Sequence, residues 1–127
     1  MQHAELTKPI IGAAFDAWNE LGFGFLESVY EKSLLIALTE QGLPARSQVG
    51  IPVRFRGQLV GEYVADIVVN DLIILELKSV NQLAVAHEVQ LVNYLTATGH
   101  DIGLLINFGP NGVDVKRKHR TPATNQS

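Results

Sequence analysis

Three charged residues stand inside segments that are otherwise apolar. Asp66 interrupts Tyr63-Val64-Ala65-Asp66-Ile67-Val68-Val69, and ten residues later Glu76 and Lys78 interrupt Leu72-Ile73-Ile74-Leu75-Glu76-Leu77-Lys78. Strands of this composition are normally buried, and burying a carboxylate costs several kcal/mol unless it is paired or holds a metal. Two carboxylates that hold a divalent cation, with an ammonium beside them to assist an attacking water, are the parts of metal-assisted hydrolysis. The competing reading is a surface Glu-Lys pair at the end of an edge strand.

The elements must bring these groups to one face. Alternation along a strand puts Glu76 and Lys78 together and sends Leu75 and Leu77 the other way. A strict two-residue turn at Asn70-Asp71 would pair Asp66 with Leu75 and leave Glu76 on the opposite face. A shared site therefore predicts a loop of three or five residues, or a bulge, that sets Asp66 against Glu76.

Before these strands the spacing predicts two helices. The first covers about Leu6 to Leu21, with Thr7 as cap, Pro9 in the first turn, and Ile11, Ala14, Phe15, Trp18 and Leu21 on one face. Gly22 ends it. The second runs from about Leu26 to Gln41, with Val29, Leu34, Ile36 and Leu38 apolar and Gly42 and Pro44 as its stop. Strands follow over Val49 to Phe55, Leu59 to Val69 and Leu72 to Val80, with Arg56-Gly57-Gln58 as a turn. A third helix spans Ala84 to Thr98, then a short apolar strand Ile102 to Asn107 suited to the middle of a sheet. Val113 to Lys118 would add an edge strand. The order α-α-β-β-β-α-β, with that possible extra strand, is an α/β sandwich with a mixed central sheet flanked by helices. One domain covering residues 1–120 is expected, with 121–127 as a disordered tail.

The helices offer further candidates. Gln90 and Tyr94, four apart, share a face, with His87 one turn before. They suit hydrogen bonds to Lys78, a metal-bound water or a phosphate; the plainer reading is an amphipathic helix with a core Tyr94 and a core His87. Glu27 lies in the first turn of the second helix, where the helix dipole favours a carboxylate in any case. Its functional reading is a third carboxylate near the metal, with Tyr30 on the same face orienting it or a phosphate.

Composition narrows the classes. The chain has 127 residues, 46% of them hydrophobic, and no cysteine, which excludes disulfides, thiolate metal sites and cysteine nucleophiles. No apolar run approaches the ~20 residues of a membrane span, and the start Met1-Gln2-His3-Ala4-Glu5 lacks a signal-peptide pattern. A cytoplasmic location is the expectation. A net charge of −3 argues against a passive nucleic-acid coat but not against a nuclease. The basic run Lys116-Arg117-Lys118-His119-Arg120 reads first as a solvated tail and second as a contact to phosphates.

With these residues in hand, the chain resembles the GxxExxY family, a branch of the PD-(D/E)XK nuclease superfamily, over roughly Leu6 to Lys118. Gly24-x-x-Glu27-x-x-Tyr30 is the name motif, within Leu21-Gly22-x-Gly24-Phe25-Leu26-Glu27-Ser28-Val29-Tyr30. Asp66, Glu76-Leu77-Lys78, His87-Glu88-x-Gln90-Leu91-x-x-Tyr94-Leu95 and Gly103-Leu104-Leu105-Ile106-Asn107-Phe108 follow in order. The resemblance implies a restriction-endonuclease-like core and Mg2+ or Mn2+ held by Asp66, Glu76, the Leu77 carbonyl and Glu27. It implies catalytic roles for Lys78, Gln90 and Tyr94, and nucleic acid as substrate. Val64 departs from it, because a basic residue is expected there. The alternatives are a non-catalytic binding or regulatory module on a nuclease fold, and a homodimer joined through Phe23 and Phe25.

Overall fold

The computed structural model describes residues 3–122 and orders them as α1 (Ala4–Leu21), α2 (Glu27–Glu40), β1 (Ala45–Phe55), β2 (Gln58–Val69), β3 (Ile73–Lys78), α3 (Val85–Thr98), β4 (Ile102–Gly109) and β5 (Gly112–His119). This is the order expected from the sequence, with the extra edge strand present. The five strands lie side by side as β1-β2-β3-β4-β5. Every pair is antiparallel except β3 and β4, which α3 joins as a crossover. None of the described helices is long and apolar enough to cross a membrane.

Helices cover both faces. α1 and α2 pack on one face against Ile67, Val69, Ile73, Leu75, Leu77, Ile102, Leu104, Ile106 and Phe108. α3 covers the other through Leu91 and Leu95, against Tyr63, Ala65, Val68, Ile74 and Leu105. β4 is buried along its whole length, as a central strand enclosed by two helical layers must be.

Two helix details differ from the sequence reading. α1 starts at Ala4, so Thr7 is no cap: it is buried within the helix and accepts a hydrogen bond from Arg117 at 2.8 Å. Pro9 consequently falls in the second turn. The buried face of α1 is Ile10, Ala13, Ala14 and Ala17, and Phe15 is 43% exposed. Small side chains let α1 approach its neighbours closely, which outweighs the greater bulk of the Phe15 stripe. On α2 the buried residues are Tyr30, Leu34 and Leu38, while Ile36 faces outward.

The basic run is no tail. Lys116 to His119 belong to β5, Lys118 pairs with Glu88 at 2.8 Å, and Arg120 pairs with Asp101 at 2.6 Å. Of the expected tail, Thr121 donates its N–H to Thr96 Oγ1 at 2.9 Å, and residues 123–127 lie outside the described residues.

The β2–β3 connection takes one of the forms a shared site requires. Val69 is opposite Ile73, Val68 opposite Ile74 and Ile67 opposite Leu75, so the loop is the three residues Asn70, Asp71 and Leu72. Asn70 and Asp71 both have φ 55, and the Leu72 N–H closes the turn on the Val69 carbonyl at 3.0 Å. Asn and Asp tolerate this left-handed backbone because their short polar side chains bond locally. Leu72 is the extra residue that carries the register on toward Asp66 and Glu76.

Candidate active site

Alternation along β2 reverses at Asp66. Ala65 packs on the α3 side and Ile67 on the α1/α2 side, although they are only two residues apart. Directly across, Gln48 has φ 52, which breaks the regular pleat of β1. Asp66 thus lies where β2 parts from β3, and its carboxylate takes the place of a ladder partner: the Leu77 N–H donates to Asp66 Oδ2 at 2.7 Å. The Glu76 carboxylate in turn is met by the Asp66 backbone N–H and by the Tyr63 hydroxyl, which donates to Glu76 Oε1. Each acid is thus held by a backbone N–H of the other strand, Asp66 by Leu77 and Glu76 by Asp66.

Electrostatics follow from this placement. Burial pushes the Glu76 carboxyl up to about 7, the Asp66 charge adds to the rise, and Tyr63 and Lys78 oppose it. Asp66 is also raised by burial, against the pull of the Leu77 N–H, Lys78 and Gln48. Burial, then the Glu76 charge, keeps the Tyr63 phenol neutral far above its ordinary range. Two half-buried carboxylates with a single lysine near them favour more positive charge than the chain supplies.

A cleft of about 250 Å³ opens beside this pair, lined by Glu62, Tyr63, Val64, Glu76, Lys78, His87, Gln90, Leu91, Tyr94 and Leu105. It unites Glu76, Lys78, His87, Gln90 and Tyr94, five of the residues singled out in the sequence. Gln90 is exposed in it. Tyr94 stacks on Tyr63 with ring centroids 4.0 Å apart. His87 also caps α3, because its Nδ1 accepts the Ala84 N–H at 3.1 Å.

Two expected members stand elsewhere. Tyr30 is fully buried, stacked on Phe108 at 4.4 Å, with its hydroxyl donating to the Gly22 carbonyl. It fixes the entry to α2 and is closed to solvent. Glu27 is exposed at the start of α2, and among the described residues no three His, Cys, Asp or Glu side chains converge on one point. The helix acid that feels Asp66 is Glu31, one turn further on, raised first by burial and then by Asp66 and Glu27. Gln48 Nε2 donates to Glu31 Oε1 at 2.9 Å and so links α2 to the acid pair.

Sequence reading missed Tyr63, Gln48 and Glu31. Regular alternation puts Tyr63 on the face away from Asp66, and only the reversal at Asp66 brings its hydroxyl to Glu76. Glu31 carried a signal, since i and i+4 share a helix face with Glu27. Gln48 carried none.

A search of curated proteins finds no match. Among solved structures, the crystal structure of SSO0001 is similar, with a TM-score of 0.60 and 17% identity over 76% of this chain and 52% of that one. At that identity the likeness shows the fold alone, and this chain spans about half of that protein. A family model described as the PD-(D/E)XK nuclease superfamily matches residues 4–119, which takes in every element from α1 to β5, and the chain belongs to that superfamily.

Proposed function

We propose that the protein is a divalent-metal-dependent phosphodiesterase acting on nucleic acid, of the GxxExxY branch suggested by Gly24-x-x-Glu27-x-x-Tyr30, and that it works in the cytoplasm. The observation that carries this is the Asp66–Glu76 pair, half-buried and electrostatically strained, whose Glu76 member lines a cleft that also holds Lys78.

The donor set fits Mg2+ or Mn2+. Asp66, Glu76 and the Leu77 carbonyl offer hard oxygen ligands, and a divalent cation would relieve the repulsion that raises both acids. When bound, the metal supplies Lewis acidity and a more acidic water. Glu31, or Glu27 after a side-chain movement, would complete the negative charge around it. The Lys78 ammonium orients the attacking water and faces the charge that develops on phosphorus in an in-line displacement. Gln90 and the neutral Nε2–H that His87 presents when Nδ1 accepts from Ala84 can donate to phosphate oxygens. Tyr94 holds Tyr63, and through it Glu76, in place.

The test is a cleavage panel of end-labelled single- and double-stranded DNA and RNA with Mg2+ or Mn2+. Lys78→Ala should cut at least about 100-fold more slowly while circular dichroism stays unchanged. Cleavage that survives both Lys78→Ala and Asp66→Ala would refute the assignment. A parent that binds nucleic acid and cuts no substrate would favour a non-catalytic binding module.

A further inference from the structure

β2 pairs with β3 from Ile67 to Val69 but runs beside β1 along its whole length. Beyond Ala65 the two strands therefore leave the sheet as a ribbon. Its base is packed on the α3 cluster through Val49, Ile51, Val53 and Tyr63. Past Val53 that cover ends: Phe55, Leu59 and Val60 are 59%, 62% and 63% exposed. A register shift at Val53/Arg54 leaves Val60 unpaired. A bare two-stranded ribbon with apolar side chains in water is marginal, which marks it as a contact surface.

Its charge says what it contacts. From Val53 to Gly61 the sequence carries Arg54 and Arg56 and no acid, in a chain of net charge −3. Neither arginine is in an ion pair among the described residues, and the Arg56 guanidinium lies 4.8 Å over the Phe55 ring. Two uncompensated guanidiniums on an otherwise acidic molecule suit phosphates. The ribbon also continues the wall of the cleft, since Glu62, Tyr63 and Val64 line it. From Gln58 to Asp66 the chain advances about 26 Å along β2, or about 8 base pairs of a duplex. A two-stranded ribbon fits a major groove about 12 Å wide. A single strand would instead call for a row of stacking aromatics, and the tip offers Phe55 with Arg56 already over it.

We propose that the β1–β2 ribbon is a duplex-binding arm that grips double-stranded DNA about 8 base pairs from the bond held beside Asp66 and Glu76. It rests on the nuclease reading of the cleft.

The experiment measures binding apart from cleavage. The Lys78→Ala protein, with and without the pair Arg54→Gln and Arg56→Gln, is titrated into a labelled duplex of about two helical turns over a range of salt. The same titration is run with a single strand of the same sequence. The arginine pair should weaken duplex binding about tenfold or more and lower the salt slope by about 2, with little change for the single strand. Unchanged affinity and slope would overturn the arm, as would a parent that binds the single strand better or no duplex at all. So would a parent dimer in sedimentation that Leu59→Asp dissociates with duplex affinity intact, which would make the tip a self-interface. Cleavage of short oligonucleotides by the protein with Lys78 intact is scored separately. Its persistence in the arginine variant would leave the nuclease reading standing even if the arm fails, and its absence from the parent would sink that reading alone.

Discussion

The chemistry of the candidate site depends on single hydrogen bonds. Glu76 is raised by burial and by Asp66, and the Tyr63 hydroxyl works against both by donating to the charged carboxylate. Tyr63→Phe keeps the ring stacked on Tyr94 and removes that donor. The Glu76 carboxyl should then titrate further above about 7 in the metal-free protein, followed by NMR of the labelled side chain. A Glu76 value that stays or falls would show that the hydroxyl does not support the carboxylate. At this scale the sequence was informative where a residue contradicts its surroundings. Asp66, Glu76 and Lys78 stand out because charge in an apolar strand needs a reason. Tyr63 was hidden because an aromatic in a strand needs none.

At the scale of elements, α3 carries Gln90 and Tyr94 to the cleft, so its distance from the sheet matters. Gly103 on β4 sets it: a Cβ there would lie 3.2 Å from the Ile74 carbonyl oxygen and 3.2 Å from Leu91 Cδ1. The backbone oxygen cannot give way cheaply, so Gly103→Ala should push α3 outward and cost about 1–3 kcal/mol. Chemical denaturation measures the loss, and a cleavage assay should show weaker substrate binding as Gln90 and Tyr94 shift. A variant as stable as the parent would mean that α3 has room to spare. The helix and strand limits were largely legible, because Gly22, Gly99 and the turn residues punctuate the chain. The buried face of α1 was not, because a row of alanines is a weak hydrophobic signal whose value lies in close approach.

Over the whole molecule, the raised acids couple folding to pH. Glu76 ordinarily titrates at 4.5 and in the folded protein at about 7, so the unfolded chain gives up its proton first. Between those values folding takes up a proton, and stability falls as pH rises through the window. The effect is on the order of 3 kcal/mol for such a displacement. Asp66 and Glu31, raised for the same reason, act in the same direction. Thermal unfolding of the metal-free protein should therefore show a melting temperature that drops from about pH 4.5 to about pH 7. Glu76→Gln should flatten that drop, and added Mg2+ should stabilise most at the upper end, where the carboxylates are charged. A melting temperature that rises over this range without metal would contradict the electrostatics described here.

Local chemistry along the chain was enough to set the order of elements, the two helical layers and the crossover, and to single out Asp66, Glu76 and Lys78 as charges that need a reason. These follow from periodicity, turn residues and the cost of burying charge, all of which act over a few neighbouring residues. The same chemistry imposed the condition on the β2–β3 loop, because a two-residue period leaves few registers that unite Asp66 with Glu76. The rest came from packing between segments distant in the chain. Which side of β2 faces which helix layer changes at Asp66, opposite the irregular backbone of Gln48 on the neighbouring strand. Tyr63, Gln48 and Glu31 reach the acids through it, from positions 3, 18 and 35 residues away from Asp66. Tyr30 left the candidate set for the same reason: its place in the motif was readable, but the Phe108 ring that buries it lies 78 residues further along the chain.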